Sequence, residues 1–166
     1  MAKPRKKTVA PPRSPDEAVA LALTMPFESF GLIAGATDRF GAEAVALAVL
    51  DQLSQATMEH KDLQEAGLAI LLAQTGAPGA VYEELGRRIA VAFASHPMHG
   101  AMLLLPVACS GIPLDPRWVE PLAPELRDNL AKLAADLGGK LEPLLAFHGA
   151  TRLTPIDETV RVLKGE

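Results

Sequence analysis

The six residues Glu17-Ala18-Val19-Ala20-Leu21-Ala22 recur letter for letter as Glu43-Ala44-Val45-Ala46-Leu47-Ala48. Ala and Leu are strong helix formers, and each copy reads as the buried stripe of a short helix. Such a stripe cannot be shielded by its own helix, so tandem copies bury it by stacking on one another. Glu65-Ala66-Gly67-Leu68-Ala69-Ile70 is a looser echo. The signatures of tetratricopeptide and related repeats are absent, so an irregular bundle competes with the stack. Either way the expected fold class is all-α, with about eight mostly short helices in a compact bundle or irregular helical-repeat stack.

Composition agrees. Aromatic residues make up only 4% of the chain, and Ala, Leu and Val dominate its apolar 49%. Small aliphatic side chains suit closely packed helices better than a β-sandwich, which draws on β-branched and aromatic residues. A chain of 166 residues is long enough to bury about 70% of its unfolded surface in one core.

Proline, glycine and capping residues punctuate the chain. Ser14-Pro15-Asp16-Glu17 has an N-cap, a first-turn proline and an acid able to close a capping box, so the ordered domain is expected over residues 14–166. Pro26 opens a short helix with Phe27, Phe30 and Ile33 on one face. Gly35 and Thr37-Asp38 are expected to break the chain before a helix carrying the second hexapeptide to Gln55. Thr57 or Asp62 starts the next, with Leu63, Ala66, Ile70 and Leu71 at helical spacing. Gly76-Ala77-Pro78-Gly79 is a stop and turn, followed by Val81, Leu85, Ile89 and Phe93 along one face. Pro97 begins a helix expected to end or kink near Pro106. Asp115-Pro116 caps a turn around Trp118. Leu126, Leu130, Leu133 and Leu137 form a seam that Gly138-Gly139 should end, with a separate short helix over Lys140 to Phe147. Thr154-Pro155-Ile156-Asp157 starts the last helix.

Charge is segregated. Residues 1–13 carry Lys3, Arg5, Lys6, Lys7 and Arg13 with no acid, whereas the remainder holds 11 basic and 20 acidic side chains. Few apolar groups in residues 1–13 predict a disordered basic tail. The acidic body would repel phosphate backbones, which makes nucleic acid an unfavoured partner except through that tail. No apolar run of about 18 residues occurs, so no membrane insertion is expected. The single cysteine, Cys109, excludes an internal disulfide and fits a reducing compartment, the cytoplasm. Abundant Ala, Gly, Pro and Arg point by association to a bacterial, high-GC source.

Few residues suggest chemistry. His96 and His99, three apart, are candidate metal ligands with Cys109 or His60 in support, but zinc usually wants four converging donors. His96 also stands where a helix cap belongs. Glu59-His60 and Asp62 put carboxylates beside an imidazole, yet adjacent helical residues point apart. The Gly76–Gly79 turn lacks the lysine and hydroxyl of a phosphate loop. Cys109 has no base or positive neighbour in sequence to activate it. Arg87-Arg88, one turn after Glu83-Glu84, is expected to form ion pairs on an exposed face. Trp118 is the candidate interface anchor, since Trp is enriched at binding hot spots, or else a plug between helical layers. No cofactor is implied.

The expected function is a small helical protein–protein interaction module (adaptor, chaperone-like or regulatory subunit) with another protein as partner and self-association open. The alternatives are an enzyme or small-molecule- or metal-binding domain with its site between helices, and a nucleic-acid-associated protein using the basic tail.

Overall fold

The structure, a computed structural model, describes residues 10–25, 28–59, 62–147 and 154–166. Among these it is all-α, with nine helices: α1 Pro15–Thr24, α2 Ser29–Phe40, α3 Ala42–Met58, α4 Asp62–Gln74, α5 Gly79–Ser95, α6 Pro97–Ser110, α7 Pro116–Val119, α8 Pro124–Phe147 and α9 Ile156–Lys164. Residues 1–9 of the expected disordered tail lie outside the described residues, as do Pro26, Phe27, His60 and Lys61. Residues 10–13 lie against the domain: the Arg39 guanidinium donates to the Pro12 carbonyl (2.7 Å).

The helices pack as consecutive pairs. The pair α1–α2 packs on α3–α4, which packs on α5–α6, which packs through α6 on α8–α9. Among the described residues no extensive contact skips a pair, which is the nearest-neighbour pattern of a helical stack. The two hexapeptides fall on α1 and α3, the first helices of consecutive pairs. The looser echo falls on α4, a second helix, and so is not a third unit. α4 is buried without interruption from Leu68 to Ala73, as expected of a helix enclosed on all sides. The C-terminal half of α6 (Leu103, Leu104, Val107, Ala108, Cys109) is similarly enclosed.

Local capping follows the sequence. Ser14 Oγ accepts the Glu17 N–H (3.2 Å), and the Glu17 carboxylate accepts the Arg13 N–H (2.8 Å), one residue before the expected position. Asp115 Oδ1 accepts the Arg117 N–H (2.9 Å) and caps α7. The α9 start lies within one residue of the expected site, and the Thr154 N–H donates instead to the Gly111 carbonyl (2.9 Å).

Three boundaries differ from expectation. α2 continues through Gly35, Thr37 and Asp38, and the break comes at Gly41, whose φ of 93° suits glycine. α6 runs through Pro106 to Ser110; the proline removes one backbone bond, but the flanking buried Leu103, Leu104, Val107 and Ala108 hold the helix together. α8 is one helix where two were expected, passing through Gly138-Gly139 and Pro143. A helical glycine costs only about 1 kcal/mol relative to Ala, and Gly138 is buried on the packed face. The leucine seam also divides: Leu130 is buried and Leu126 half-buried, whereas Leu133 and Leu137 are exposed. The packed stripe is Leu130, Ala131, Ala134, Gly138 and Leu145, whose small members admit close helix approach.

Candidate functional site

Helix α5 closes the row of first helices formed by α1, α3 and α5, and a surface depression lies on each of its flanks. On one side its neighbour is α3. The groove there holds about 520 Å³ and takes Ser54, Thr57 and Met58 from α3, Arg87, Arg88 and Val91 from α5, and His99 and Leu103 from α6. Met58 is 82% exposed and Val91 57%, an unusual position for large apolar side chains in a chain whose other aliphatics are mostly enclosed.

Ion pairs hold that groove in shape. Arg88 donates to Glu84 on its own helix (2.8 Å) and crosses to α3, donating to Asp51 (2.6 Å) and to the Ser54 hydroxyl (3.1 Å). Arg87 grips both oxygens of Glu84 (2.7 and 2.6 Å). The hydrogen bonds from Arg87, then those from Arg88, hold the Glu84 carboxyl down to about 2. Burial disfavours the Arg88 charge, but its bonds to Glu84 and Asp51 outweigh that and raise its pKa. The expected pairing of the Arg87-Arg88 face is present through Glu84. The bridge to Asp51 was not legible, because nothing local relates positions 51 and 88.

On the other flank α5 meets α7. Trp118 is half-buried and lies over Gly86, where a Cβ would stand 2.8 Å from the indole Cε2. It also packs on Tyr82, with ring centroids 4.8 Å apart, and the Tyr82 hydroxyl donates to the Pro113 carbonyl (2.8 Å). Burial, then the nearby Asp115 charge, raises the Tyr82 pKa against an opposing effect of Arg117. Phe93 lies in the same way over Gly100 of α6. The two aromatics wall a cleft of about 450 Å³, with Ala90, Ala94, Pro97, Pro121, Leu122 and Leu126 also lining it. Trp118 therefore plugs a helix junction and shows its remaining face to the cleft. Neither glycine seat was anticipated; the helical spacing of Gly86 and Gly100 carries no signal that an aromatic lies above.

The histidines have other work. His96 caps α6, its Nδ1 accepting the Met98 N–H (3.1 Å). An imidazole whose Nδ1 accepts carries its proton on Nε2, so ligating a metal requires giving up the cap. His99 lies beside it, ring centroids 5.5 Å apart, with Nδ1 3.5 Å from the Ser95 hydroxyl. Both are exposed, whereas Cys109 is buried against α8 with its thiol 4.0 Å from the Ala134 carbonyl. Thus the structure brings His96 and His99 together but not Cys109, and His60 lies outside the described residues. Among the described residues no group of three or more His, Cys, Asp or Glu is placed to hold a metal ion.

The remaining candidates take structural places. Glu59 accepts a hydrogen bond from the Gln55 amide (3.0 Å); its expected companions, His60 and the Asp62 side chain, are not among what is described. Gly76 and Ala77 both adopt positive φ (78° and 44°) in the turn between α4 and α5. Among the described residues no helix is long and apolar enough to cross a membrane. No family model matches this chain, and no curated protein or solved structure is significantly similar to it.

Proposed function

We propose that the protein is a helical protein–protein interaction module, without a catalytic site of its own, that docks a partner in the groove between α3 and α5. The observation that carries this reading is the exposure of Met58 and Val91 on the two walls of one groove, above the enclosed Leu103. Exposed aliphatics over a preformed groove match the way an amphipathic helix is bound, by apolar anchors spaced along one face. Stacked helices present such surfaces between successive members of a row. The Arg88 bridge to Asp51 and Ser54 keeps the two walls at a set separation, which lowers the ordering cost of binding.

The test is capture from native lysate at low and high salt by the wild-type chain and by Val91→Glu. A defined, stoichiometric partner that survives high salt and is lost with Val91→Glu supports the reading. Identical capture by both proteins sinks it. A second reading rests on size: about 520 Å³ falls in the range of small-molecule sites. Native mass spectrometry of the purified chain, with a parallel metal assay, tests this: a retained compound displaced by Val91→Glu would favour it over a protein partner.

A further inference from the structure

The groove between α3 and α5 has a polar character as well as an apolar one. Acids outnumber bases in the globular part of the chain. Among the described residues, however, the groove is lined by Arg87 and Arg88 and by no carboxylate. The two arginines differ. Arg88 is the brace: its Nε, Nη1 and Nη2 each donate to a protein acceptor, Glu84, Ser54 and Asp51 respectively. Arg87 gives only two of its five N–H donors to Glu84. Its side chain is 63% exposed, and among the described residues no other acceptor takes the donors that remain. The Ser54 and Thr57 hydroxyls on the facing wall are turned to their own helix, donating to the Leu50 (3.0 Å) and Leu53 (2.9 Å) carbonyls. Glu84 and Asp51 balance the two arginine charges, so the groove has little long-range pull. What it offers at contact is a guanidinium with donors to spare, beside the aliphatic Met58 and Val91.

We infer that the partner segment is an amphipathic helix with an Asp or Glu one turn from the apolar anchor it places between Met58 and Val91, the carboxylate lying on Arg87. This rests on docking in the α3–α5 groove and adds the chemistry of the partner. The spacing comes from α5. Arg87 and Val91 are four positions apart on that helix, one turn and about 6 Å along its axis. A helix laid along the groove meets both with an anchor and a carboxylate at the same interval. From Arg87 to Ser95 the lining of α5 spans eight positions, about 12 Å, so about two turns of the partner are held. A carboxylate suits the waiting donors because its bonds to a guanidinium are charge-assisted and stronger than neutral ones. A lysine at that place would meet Arg87 as a like charge, with no lining carboxylate to receive it. Glu84 need not move when Arg87 takes a second carboxylate, since Arg88 also holds it (2.8 Å).

The probes are two synthetic amphipathic helical peptides with the same leucine anchors. One has Glu and the other Lys one turn from the central leucine. Each is labelled for fluorescence anisotropy and titrated with the full chain. The Glu peptide should bind saturably and the Lys peptide at least about ten-fold more weakly, the difference expected of one charge-assisted hydrogen bond. Arg87→Glu, with unchanged helical circular dichroism, should reverse that order, and the milder Arg87→Gln should level it. Equal binding of the two peptides by the wild type, or a preference for Glu that survives both Arg87 substitutions, overturns the inference and leaves apolar docking in the groove standing. Val91→Gln, which adds no charge, should weaken the Glu peptide without reversing the order. Unchanged binding by Val91→Gln, or binding of neither peptide by the folded wild-type chain, sinks the docking itself and this inference with it.

Discussion

The two flanks of α5 solve the same packing problem with different materials. Toward α3, a helix meets a helix of its own kind, and the contact is completed at the surface by ion pairs: Arg88 with Asp51 and Glu84, Arg87 with Glu84. Toward α7, the row of first helices has run out, and a single turn covers the flank with an aromatic side chain seated on a glycine. The first arrangement leaves aliphatics exposed and charges balanced. The second hides its apolar mass, and the one charged side chain lining its cleft, Arg117, is paired with Asp115. The end of a helical stack needs a cap with a polar outer face, and Trp118 on α7 does this for α5. Among the described residues, the adjoining α3–α5 surface has no such cover.

The comparison breaks most easily at the glycine seats. Gly86→Ala drives a methyl group into the Trp118 ring and should cost about 2–3 kcal/mol by overpacking, read from the urea midpoint. Gly100→Ala should act similarly through Phe93. If Gly86→Ala were as stable as wild type, the close seating of α7 on α5 would be wrong. Trp118→Ala should cost about 2 kcal/mol, less than a fully buried aromatic would, and equal stability would mean that α7 is not a cap.

Effects on the α3 side should be smaller. Arg88→Met keeps the aliphatic stem but removes the bridge to Asp51 and Ser54, with a loss of about 1 kcal/mol or less for a partly exposed ion pair. A loss as large as that of Gly86→Ala would erase the contrast between the flanks. Acid sharpens it. Glu84 titrates lower in the folded chain than in the unfolded one, so its contribution is complete above about 4.5 and is lost as pH falls toward 2. Glu84→Gln should flatten the stability profile in that window at high and low denaturant alike. Asp115, also lowered by its bonds to Arg117, acts with the same sign on the other flank, so a residual slope should survive Glu84→Gln and shrink further with Asp115→Asn. The smallest effect on stability belongs to Val91→Glu, within about 0.5 kcal/mol for an exposed position, although it should weaken partner binding at least about ten-fold if the buried charge costs more than 1.4 kcal/mol.

Legibility follows the range of each interaction. The first turn of α1, the turn between α4 and α5 and the cap of α7 depend on residues within four positions of each other, and all were readable from Ser14, Gly76 and Asp115. Proline and glycine misled where burial overrode them. Pro106 read as a stop or kink and Gly138-Gly139 as a stop, yet helices held by packing from their neighbours continue through both. At the candidate site, Trp118 and the paired Arg87-Arg88 face stood out by residue type. The Asp51–Arg88 bridge, the glycine seats and the groove between Met58 and Val91 did not, since each joins residues on different helices.

The hexapeptide shows the division most plainly. Its letters determined that both copies are helical and apolar on one side, because propensity and periodicity are local. They left open whether the helices stack as repeats or pack as an irregular bundle; in the structure the copies fall on the first helices of consecutive pairs. They did not determine which face is covered. In α1, Ala18, Val19 and Ala22 are buried, Ala20 is exposed and Leu21 is half-buried; in α3, Val45, Ala46 and Ala48 are buried while Ala44 is exposed and Leu47 is 40% exposed. The covered face has turned by about one residue. α1 lies at the edge of the stack, against α2, α3 and α4, whereas α3 is enclosed by α1, α2, α4, α5 and α6. Burial is decided by how many neighbours surround a helix and from which directions, and that is a property of the assembled tertiary structure, outside the reach of six identical letters.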